Sequence, residues 1–298
     1  EGERATGEGK VADDKFYLPI KGDLVFKPFA GYIKGSDLIA AKIFTLAPEN
    51  VKRGIPASNS IGLIYDAETL MPVAILEASW LTGIKVGASS TVAAKYLAKK
   101  DSKVVGLIGA GLQARTHLEG LCEVFKLEEV RVTSRTKESR ERFAKEMGEK
   151  FGVNIIPVDS VEDAMKGADI VMTLTTANAP LVKSNWIEPG MFILKLGSYQ
   201  ELDPKVITAV DKFVVDNWEY VSHRCKELIQ LIDAGLITRW SIYGEIPEIV
   251  AGKKQGREND SESILGIAYG LGGDYATLFS YIYKQAIKLG IGQTLKLL

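Results

Sequence analysis

The chain has 298 residues, of which 46% are hydrophobic and 25% charged, and its formal net charge is −1. This is the composition of a globular protein long enough for two domains, and a charge so close to zero argues against a nucleic acid or an anionic membrane as a partner. Two cysteines argue against a disulfide framework and a cysteine-rich metal site, and no apolar run has the length of a membrane span. We therefore expect a cytoplasmic protein.

From residue 15 to residue 78 the sequence alternates short strand-like runs with turn residues. The runs are KFYLPI, LVFKPFAGYI, LIAAKIFTLA, SIGLIYD and PVAILEA. Runs of this kind, separated by segments rich in Gly, Pro, Asn and Asp, predict a mostly antiparallel sheet. The alanine-rich segment 79–101, which ends in lysines, predicts a helix.

Strand-like and helical segments alternate from residue 103 to residue 217. The strand-like segments are KVVGLIGA, EVRVTSR, VNIIPV, ADIVMTLTT, MFILKLGS and DKFVVDN, and the helical ones include LQARTHLEGLCEVF, TKESRERFAKEMGEKFG and SVEDAMKG. This alternation predicts a doubly wound parallel sheet. After Trp218 we predict a more helical stretch, with GKKQGRENDSES as a polar loop and DYATLFSYIYKQAIKLG as an amphipathic C-terminal helix.

The segment VVGLIGAGLQARTHLEG, residues 104–120, runs from an apolar strand through glycines into a helix. Gly109, Gly111 and Ala114 form the pattern GxGxxA, which gives a tight turn, a bare position that a pyrophosphate can approach, and a small residue where the helix packs on the strand. A helix that opens at Leu112 and Gln113 directs free N–H groups toward phosphates. Because the pattern lies between a strand and a helix, it predicts dinucleotide binding rather than a structural turn alone.

The next strand of this unit ends in TSRT, residues 133–136, and not on an acid. Sites that bind NAD usually place a carboxylate there, on the ribose 2′-hydroxyl. Ser134, Arg135 and Thr136 instead place two hydroxyls around a guanidinium, a set that suits a 2′-phosphate. The alternative is a solvated arginine at a strand end. We predict that NADP(H) is preferred, with NAD(H) as the other candidate cofactor.

Several segments resemble the ornithine cyclodeaminase, mu-crystallin and archaeal-type alanine dehydrogenase family. They are LTGIKVGASSTVAAKYLAKKDSKVVGLIGAGLQARTHLEGL, APENVKRGIPASNSIGLIYDAETLMPVAILEASWLT, TTANAPLVKSNWIEPGMFI and GKKQGREND. The resemblance covers essentially the whole chain. It implies a homodimer built through the N-terminal sheet, an active site in the cleft between the domains, and chemistry at the α-carbon of a small amino or imino acid. It also implies that native N-terminal residues are missing from this chain.

The predicted fold class is therefore α/β, a Rossmann doubly wound parallel sheet with a smaller, mostly antiparallel α+β domain. We assign residues 100–269 to the Rossmann dinucleotide-binding domain. Residues 1–99 and 270–298 form the smaller domain, to which the resemblance gives substrate binding and dimerisation.

The resemblance gives roles to three lysines. Lys42 matches the family's active-site lysine, so we expect it to be catalytic, to bind substrate and to assist proton transfer; its pattern alone would indicate an edge residue that reaches water. Lys15 falls where members usually have an arginine that binds the substrate carboxylate. Lys85, followed by Val86, stands where members usually have arginine and threonine, and a lysine offers a point charge in place of two parallel hydrogen bonds.

The resemblance also indicates the nicotinamide side of the cofactor site. Thr175, Thr176 and Ala177 end a strand at the level where family members contact the nicotinamide ribose, and Gly197 and Ser198 follow the next strand. Ser198 stands where cyclodeaminases and alanine dehydrogenases have an aspartate. The general base of the two-step lyase reaction therefore lacks its obvious counterpart.

We predict an NAD(P)-dependent oxidoreductase that transfers hydride at the α-carbon of a small imino or amino acid, as a ketimine reductase or an amino-acid dehydrogenase. Two alternatives stay open. One is ornithine cyclodeaminase, which forms proline and ammonia with NAD as a bound cofactor, and for it Asp216 or Glu219 would have to replace the missing carboxylate rather than cap a strand end. The other is a crystallin-like nucleotide-binding protein without catalysis. No metal site is predicted, because His117 and His223 lack partners at ligand spacing.

Overall fold

The computed structural model describes residues 9–10, 18–20, 24–197 and 199–296. The chain forms two compact units: the residues up to Lys85 together with those from Leu271 onward, and Val86–Gly270. The predicted division after residue 99 lies at the end of a helix, whereas the units divide inside that helix. The reason is close packing within the second unit, where a Cβ on Gly87 would lie 2.6 Å from the carbonyl oxygen of Thr116.

The strands of the described residues are β1 (Gly9–Lys10), β2 (Leu18–Pro19), β3 (Val25–Ile33), β4 (Leu38–Leu46), β5 (Ser58–Asp66), β6 (Pro72–Glu77), β7 (Val104–Ile108), β8 (Glu129–Thr133), β9 (Asn154–Pro157), β10 (Ile170–Thr173), β11 (Phe192–Lys195), β12 (Lys212–Val215), β13 (Gly244–Glu245) and β14 (Ile264–Ile267). The α-helices are α1 (Ser79–Leu97), α2 (Leu112–Val124), α3 (Lys137–Phe151), α4 (Val161–Met165), α5 (Lys205–Ala209), α6 (Trp218–Ser222), α7 (Lys226–Asp233), α8 (Ile246–Val250) and α9 (Gly272–Leu289). In this described part of the chain, no helix combines the length and the apolar character that a bilayer crossing requires.

The first unit is built on an antiparallel sheet in the order β1-β3-β4-β5-β6, with β2 also paired to β3. Helix α9 packs on one face of this sheet around an apolar core that includes Leu38, Ala40, Ile64, Ala276 and Phe279. The helix can approach because β3 carries a glycine there, and a Cβ on Gly31 would lie 2.3 Å from the carbonyl oxygen of Gly272. Since side chains alternate along a strand, Ala40 and Lys42 of β4 share this covered face.

The opposite face of the same sheet is apolar and exposed. Ile61 of β5 is 45% exposed, and Val73 and Ile75 of β6 are 40% and 65% exposed. Leu63 pairs with Ile75 across the two strands, so these side chains form a continuous patch. An exposed apolar patch of this kind indicates an interaction surface.

The second unit is a parallel sheet of eight strands in the order β13-β12-β14-β11-β10-β7-β8-β9. The residues of β10, β11 and β14 are all buried, as expected when helices cover both faces of a sheet. The strand order reverses at β7, since β8 and β9 continue on one side of it and β10 and β11 on the other. Open sheets bind ligands at the carboxyl ends of the strands at such a point. The predicted α/β class, with a doubly wound sheet and a smaller antiparallel unit, is confirmed.

The stretch after Trp218 is rich in helices, as predicted, but it also contributes two strands of this sheet that were not predicted. Helices α6, α7 and α8 lie in that stretch, but β13 joins the edge of the sheet and β14 lies between β11 and β12. A run of four apolar residues has too few repeats for its periodicity to distinguish a strand from a buried helix. Burial between two neighbouring strands decides its conformation.

The predicted polar loop GKKQGRENDSES holds the end of α1. A Cβ on Gly256 would lie 2.2 Å from the carbonyl oxygen of Tyr96, so the loop and the helix meet backbone to backbone. The backbone N–H of Arg257 donates to Tyr96 O at 3.0 Å, and its Nε donates to Leu97 O at 2.9 Å. These bonds satisfy the last carbonyl groups of the helix, which have no partner within it.

Candidate active site

The first glycine of the GxGxxA turn is required by the fold itself. Gly109 follows β7 with φ +122°, a conformation that other residues rarely adopt. Its N–H donates to Thr133 O at 2.8 Å, and a Cβ there would lie 2.6 Å from the carbonyl oxygen of Leu174. The turn is thus held between β8 and the end of β10.

The second glycine has no such structural reason. Gly111 is the N-cap of α2 with φ −86° and ψ −164°, which any residue can adopt, and a Cβ there would meet no atom of the described residues within 4 Å. Ala114, one turn into the helix, is fully buried. Leu112 is exposed, and Gln113 has a buried Oε1 without a hydrogen-bond partner among the described residues. A bare backbone that faces open space at a helix N-terminus fits a diphosphate.

In the TSRT segment, Ser134 and Thr136 hold the local backbone, whereas the side chain between them is exposed. Thr136 is the N-cap of α3, since its Oγ1 accepts from the N–H of Ser139 at 3.3 Å, and Ser134 Oγ donates to Thr136 O at 2.9 Å. Arg140 donates to Ser134 O at 3.3 Å and forms an ion pair with Asp159. Arg135 is exposed and has no hydrogen bond or ion pair within the described ranges. Its guanidinium is therefore the group of this segment that can bind a phosphate.

Thr173 at the end of β10 and Thr175 just after it are held by a buried acid that the sequence did not indicate. Glu201 is fully buried; its Oε1 accepts from the N–H of Thr175 at 2.8 Å and from Thr175 Oγ1 at 2.7 Å, and its Oε2 accepts from Thr173 Oγ1 at 3.0 Å. Burial raises the pKa of Glu201, an effect that its hydrogen bonds and the charge of Lys195 partly offset. Thr175 Oγ1 also accepts from the N–H of Ala177 at 3.1 Å, while Thr176 is exposed.

Lys42 lies on the covered face of β4 and only 2% of it is exposed, so it is not the edge residue reaching water that its strand pattern alone indicates. Its Nζ donates to the hydroxyl of Tyr275 in α9 at 2.9 Å and lies 4.4 Å from the centroid of that ring. The rings of Phe29 and Phe44 have their centroids 5.4 and 5.5 Å from the same nitrogen. Aromatic faces attract an ammonium group, so they stabilise this charge away from bulk water.

Lys85 also contacts the ring of Tyr275. Its Nζ is 4.8 Å from the centroid of Tyr275 and forms an ion pair with Asp274 Oδ2 at 2.7 Å. Lys85 is buried, and 9% of the Asp274 side chain is exposed. Burial acts to raise the pKa of Asp274, but the adjacent Lys85 ammonium outweighs this effect and holds that pKa below its ordinary value. Burial raises the pKa of Tyr275, which keeps its hydroxyl protonated.

The structure thus brings Lys42 and Lys85 together, and it adds two residues of α9 that sequence reasoning missed, Asp274 and Tyr275. Two buried ammonium groups beside one aromatic ring can bind a small carboxylate by charge-assisted hydrogen bonds. The predicted residues Lys15 and Ser198 lie outside the described residues.

Asp216 binds backbone at the end of β12. Its carboxylate accepts from the N–H of Asn217 at 2.8 Å and from those of Tyr269 and Gly270, both at 2.6 Å. Glu219 is exposed. Because its carboxylate is used by backbone N–H groups, Asp216 fits the role of a cap at the strand end better than that of a substitute for the cyclodeaminase general base.

His117 is buried inside the second unit. Its Nδ1 donates to Gln113 O at 2.6 Å, and its Nε2 lies 2.9 Å from Ser90 Oγ. Burial lowers the pKa of His117 to about 4, so the ring is neutral at physiological pH. Across the described ranges, no group of three or more His, Cys, Asp or Glu residues is arranged to hold a metal ion.

Comparison with known proteins gives one consistent family. The model of the ornithine cyclodeaminase/mu-crystallin family matches residues 5–289. A Delta(1)-pyrroline-2-carboxylate reductase of Bacillus thuringiensis is 33% identical over 297 residues, which covers 95% of this chain and 90% of the relative. An alanine dehydrogenase of Archaeoglobus fulgidus is 31% identical over 289 residues, which covers 95% of this chain and 86% of the relative.

Two solved structures are similar over nearly their whole lengths. Delta(1)-pyrroline-2-carboxylate reductase of Thermococcus litoralis, in complex with NADH and L-proline, superposes with a TM-score of 0.93 at 36% identity, covering 99% of this chain and 94% of the other. An archaeal alanine dehydrogenase dimer with bound NAD superposes with a TM-score of 0.92 at 28% identity, covering 100% and 93%. The prediction of an oxidoreductase enzyme that uses a nicotinamide cofactor is confirmed.

The two glycines of the turn give opposite results when each is changed to alanine. Gly109→Ala forces a strained φ and a backbone clash, so we expect a lower midpoint of urea unfolding. Gly111→Ala leaves that midpoint unchanged, because its Cβ meets no atom of the described residues. It weakens NADH and NADPH binding about 10- to 100-fold, since overpacking costs about 1–3 kcal/mol. Fluorescence titration measures the binding. Unchanged affinity in Gly111→Ala would contradict a diphosphate at this turn.

Proposed function

Because the chain belongs to the ornithine cyclodeaminase/mu-crystallin family, we propose that this oxidoreductase reduces the C=N bond of a small cyclic imino acid to the corresponding cyclic amino acid. The observation that carries the proposal is the pair of buried ammonium groups, Lys42 and Lys85, on the ring of Tyr275. The reductase relatives, one of them solved with NADH and L-proline, support the same direction of chemistry.

Gly109, Gly111 and the N-terminus of α2 would hold the diphosphate of the cofactor, with Thr175 and Gly197 at its nicotinamide end. A bound reduced nicotinamide supplies the hydride. The residues of the second unit fix its position and exclude water, and they do not themselves change in the reaction.

The first unit would bind and polarise the substrate. Its carboxylate accepts hydrogen bonds from the ammonium groups of Lys42 and Lys85, which orients the imine carbon. Lys42 would also donate the proton that the imine nitrogen gains. The proton would pass either directly from Lys42 Nζ or through the Tyr275 hydroxyl, which lies 2.9 Å from Lys42 Nζ. The substrate gains a hydride at carbon and a proton at nitrogen, so that the C=N bond becomes an amine.

The surroundings of Lys42 favour a neutral ring over a diamino acid. Phe29, Phe44 and Tyr275 place aromatic faces around this nitrogen, and such faces pack well against an apolar five- or six-membered ring. The reductase relatives point the same way. We therefore place imine reduction ahead of cyclodeamination for this chain.

Replacement of Lys42 tests this function. We expect the purified chain to oxidise NADPH or NADH when pyrroline-2-carboxylate is added, and Lys42→Met to lower kcat/KM about 10²- to 10⁴-fold by removing the proton donor. Tyr275→Phe keeps the ring, loses the hydroxyl, and lowers kcat/KM about tenfold. Absorbance at the reduced-nicotinamide band measures the rate.

Lys34→Met, at an exposed position of the same unit, is the matched control and should retain the full rate. Full activity in Lys42→Met would contradict the proposed role of this residue. Formation of proline and ammonia from ornithine, without net oxidation of the cofactor, would establish the cyclodeaminase reaction instead. Absence of turnover on any imino acid, with cofactor binding intact, would favour the crystallin-like alternative.

We propose that the cofactor is preferentially NADP(H), bound at its 2′-phosphate by Arg135. Arg135→Gln removes the charge without disturbing the cap of α3, so we expect the Kd of NADPH to rise about tenfold and that of NADH to stay unchanged, as for the loss of one charged hydrogen bond. Calorimetric titration of both cofactors measures the difference. Tighter binding of NADH than of NADPH by the unaltered chain would defeat the proposal.

We propose that two copies associate through the exposed face of the antiparallel sheet, as a homodimer. The apolar side chains Ile61, Val73 and Ile75 support this, and a similar solved structure is a dimer. Ile75→Asp places a charge in the patch and should convert the dimer to monomers in sedimentation equilibrium. Leu236→Asp, at an exposed position of the second unit, should not. A dimer of unchanged strength in Ile75→Asp would exclude this face.

A further inference from the structure

The carboxyl ends of β10 and β11 are joined by a buried polar network. Thr175 follows β10 and Gly197 follows β11, beside the point where the strand order reverses. The two segments touch, because a Cβ on Gly197 would lie 3.3 Å from the carbonyl oxygen of Thr175 and 3.2 Å from Glu201 Oε2. The Glu201 carboxylate accepts hydrogen bonds from both the N–H and the hydroxyl of Thr175.

Glu201 is itself held from the far side. Glu227, also fully buried, accepts from the N–H of Glu201 at 2.8 Å and from the N–H of Leu202 at 3.0 Å through Oε1. Lys195 is fully buried at the end of β11, where its Nζ contacts Gly197 O, lies 3.1 Å from the hydroxyl of Tyr269, and lies 3.7 Å from Glu227 Oε1.

Three buried charged groups cost more desolvation free energy than an apolar core of the same volume would. Their hydrogen bonds run to the backbone and hydroxyl of residues at the ligand-binding edge of the sheet, rather than only to each other. The network therefore fixes the backbone after β10 relative to the backbone after β11, which apolar core packing would not do.

We infer that Glu201 is a positioning residue for the nicotinamide end of the cofactor site, acting through Thr175 and supported by Glu227 and Lys195. The inference rests on the proposed cofactor site, and it goes beyond that site because Glu201 lies behind the residues that would contact the ligand. It predicts that loss of Glu201 affects the part of the cofactor that carries nicotinamide and leaves the adenine and diphosphate part unaffected.

The test compares two ligands that differ only in nicotinamide. The Kd values of NADH and of ADP-ribose are measured by calorimetry for the unaltered chain, Glu201→Ala and Glu201→Gln, and the NADPH and 2′-phospho-ADP-ribose pair is measured in the same way. Glu201→Ala should weaken binding of the reduced cofactor about tenfold and leave ADP-ribose unchanged, because it frees Thr175. Glu201→Gln retains a carbonyl acceptor for Thr175 and should recover about half of this loss on a logarithmic scale.

Glu149→Gln, an exposed substitution in the same unit, controls for the loss of charge and should change neither Kd. If Glu201→Ala raises the Kd of both ligands equally, or changes neither Kd, the inference is overturned. If Glu201→Ala does not fold, Glu201→Gln decides: a loss confined to the reduced cofactor supports positioning, and an equal or absent effect on both ligands refutes it. If the unaltered chain binds neither ligand, the cofactor site itself fails, which is a separate outcome.

Discussion

Removing lysine ammonium groups from water is the constraint on which both units depend, because a buried charge must be compensated by nearby polar or aromatic groups. Lys195 and Lys212 meet this need with glutamates and backbone carbonyl oxygens, and they tie loops to the sheet. Lys85 meets it with Asp274. Lys42 instead donates to a phenol hydroxyl and lies among aromatic rings.

Much of the fold could be predicted because its signals are local. Alternating strands and helices give the parallel sheet, and the spacing of Gly109, Gly111 and Ala114 locates the turn that opens α2. The strand Ile264–Ile267 could not be predicted, since its conformation is set by β11 and β12, which lie far from it in sequence. Local periodicity carries no information about a partner of this kind.

Residues of the candidate site could be predicted where they match the family pattern, and not where their contacts come from distant parts of the chain. Lys42 is singled out by that match, whereas its strand pattern alone indicates an edge residue that reaches water. Tyr275 is 233 residues away from it in sequence and reads as an ordinary aromatic of an amphipathic helix. Glu201 reads as a solvated loop acid, although it is fully buried. The one available signal was its position just after a buried strand of the parallel sheet.

Adjacent residues of the segment after β8 have different structural roles. Thr136 caps α3 and Ser134 closes the local turn, so both maintain the backbone, whereas the Arg135 side chain projects into solvent. The charge at the end of β8 can therefore change through a single substitution at position 135 without disturbing the bonds that maintain the turn and the start of α3.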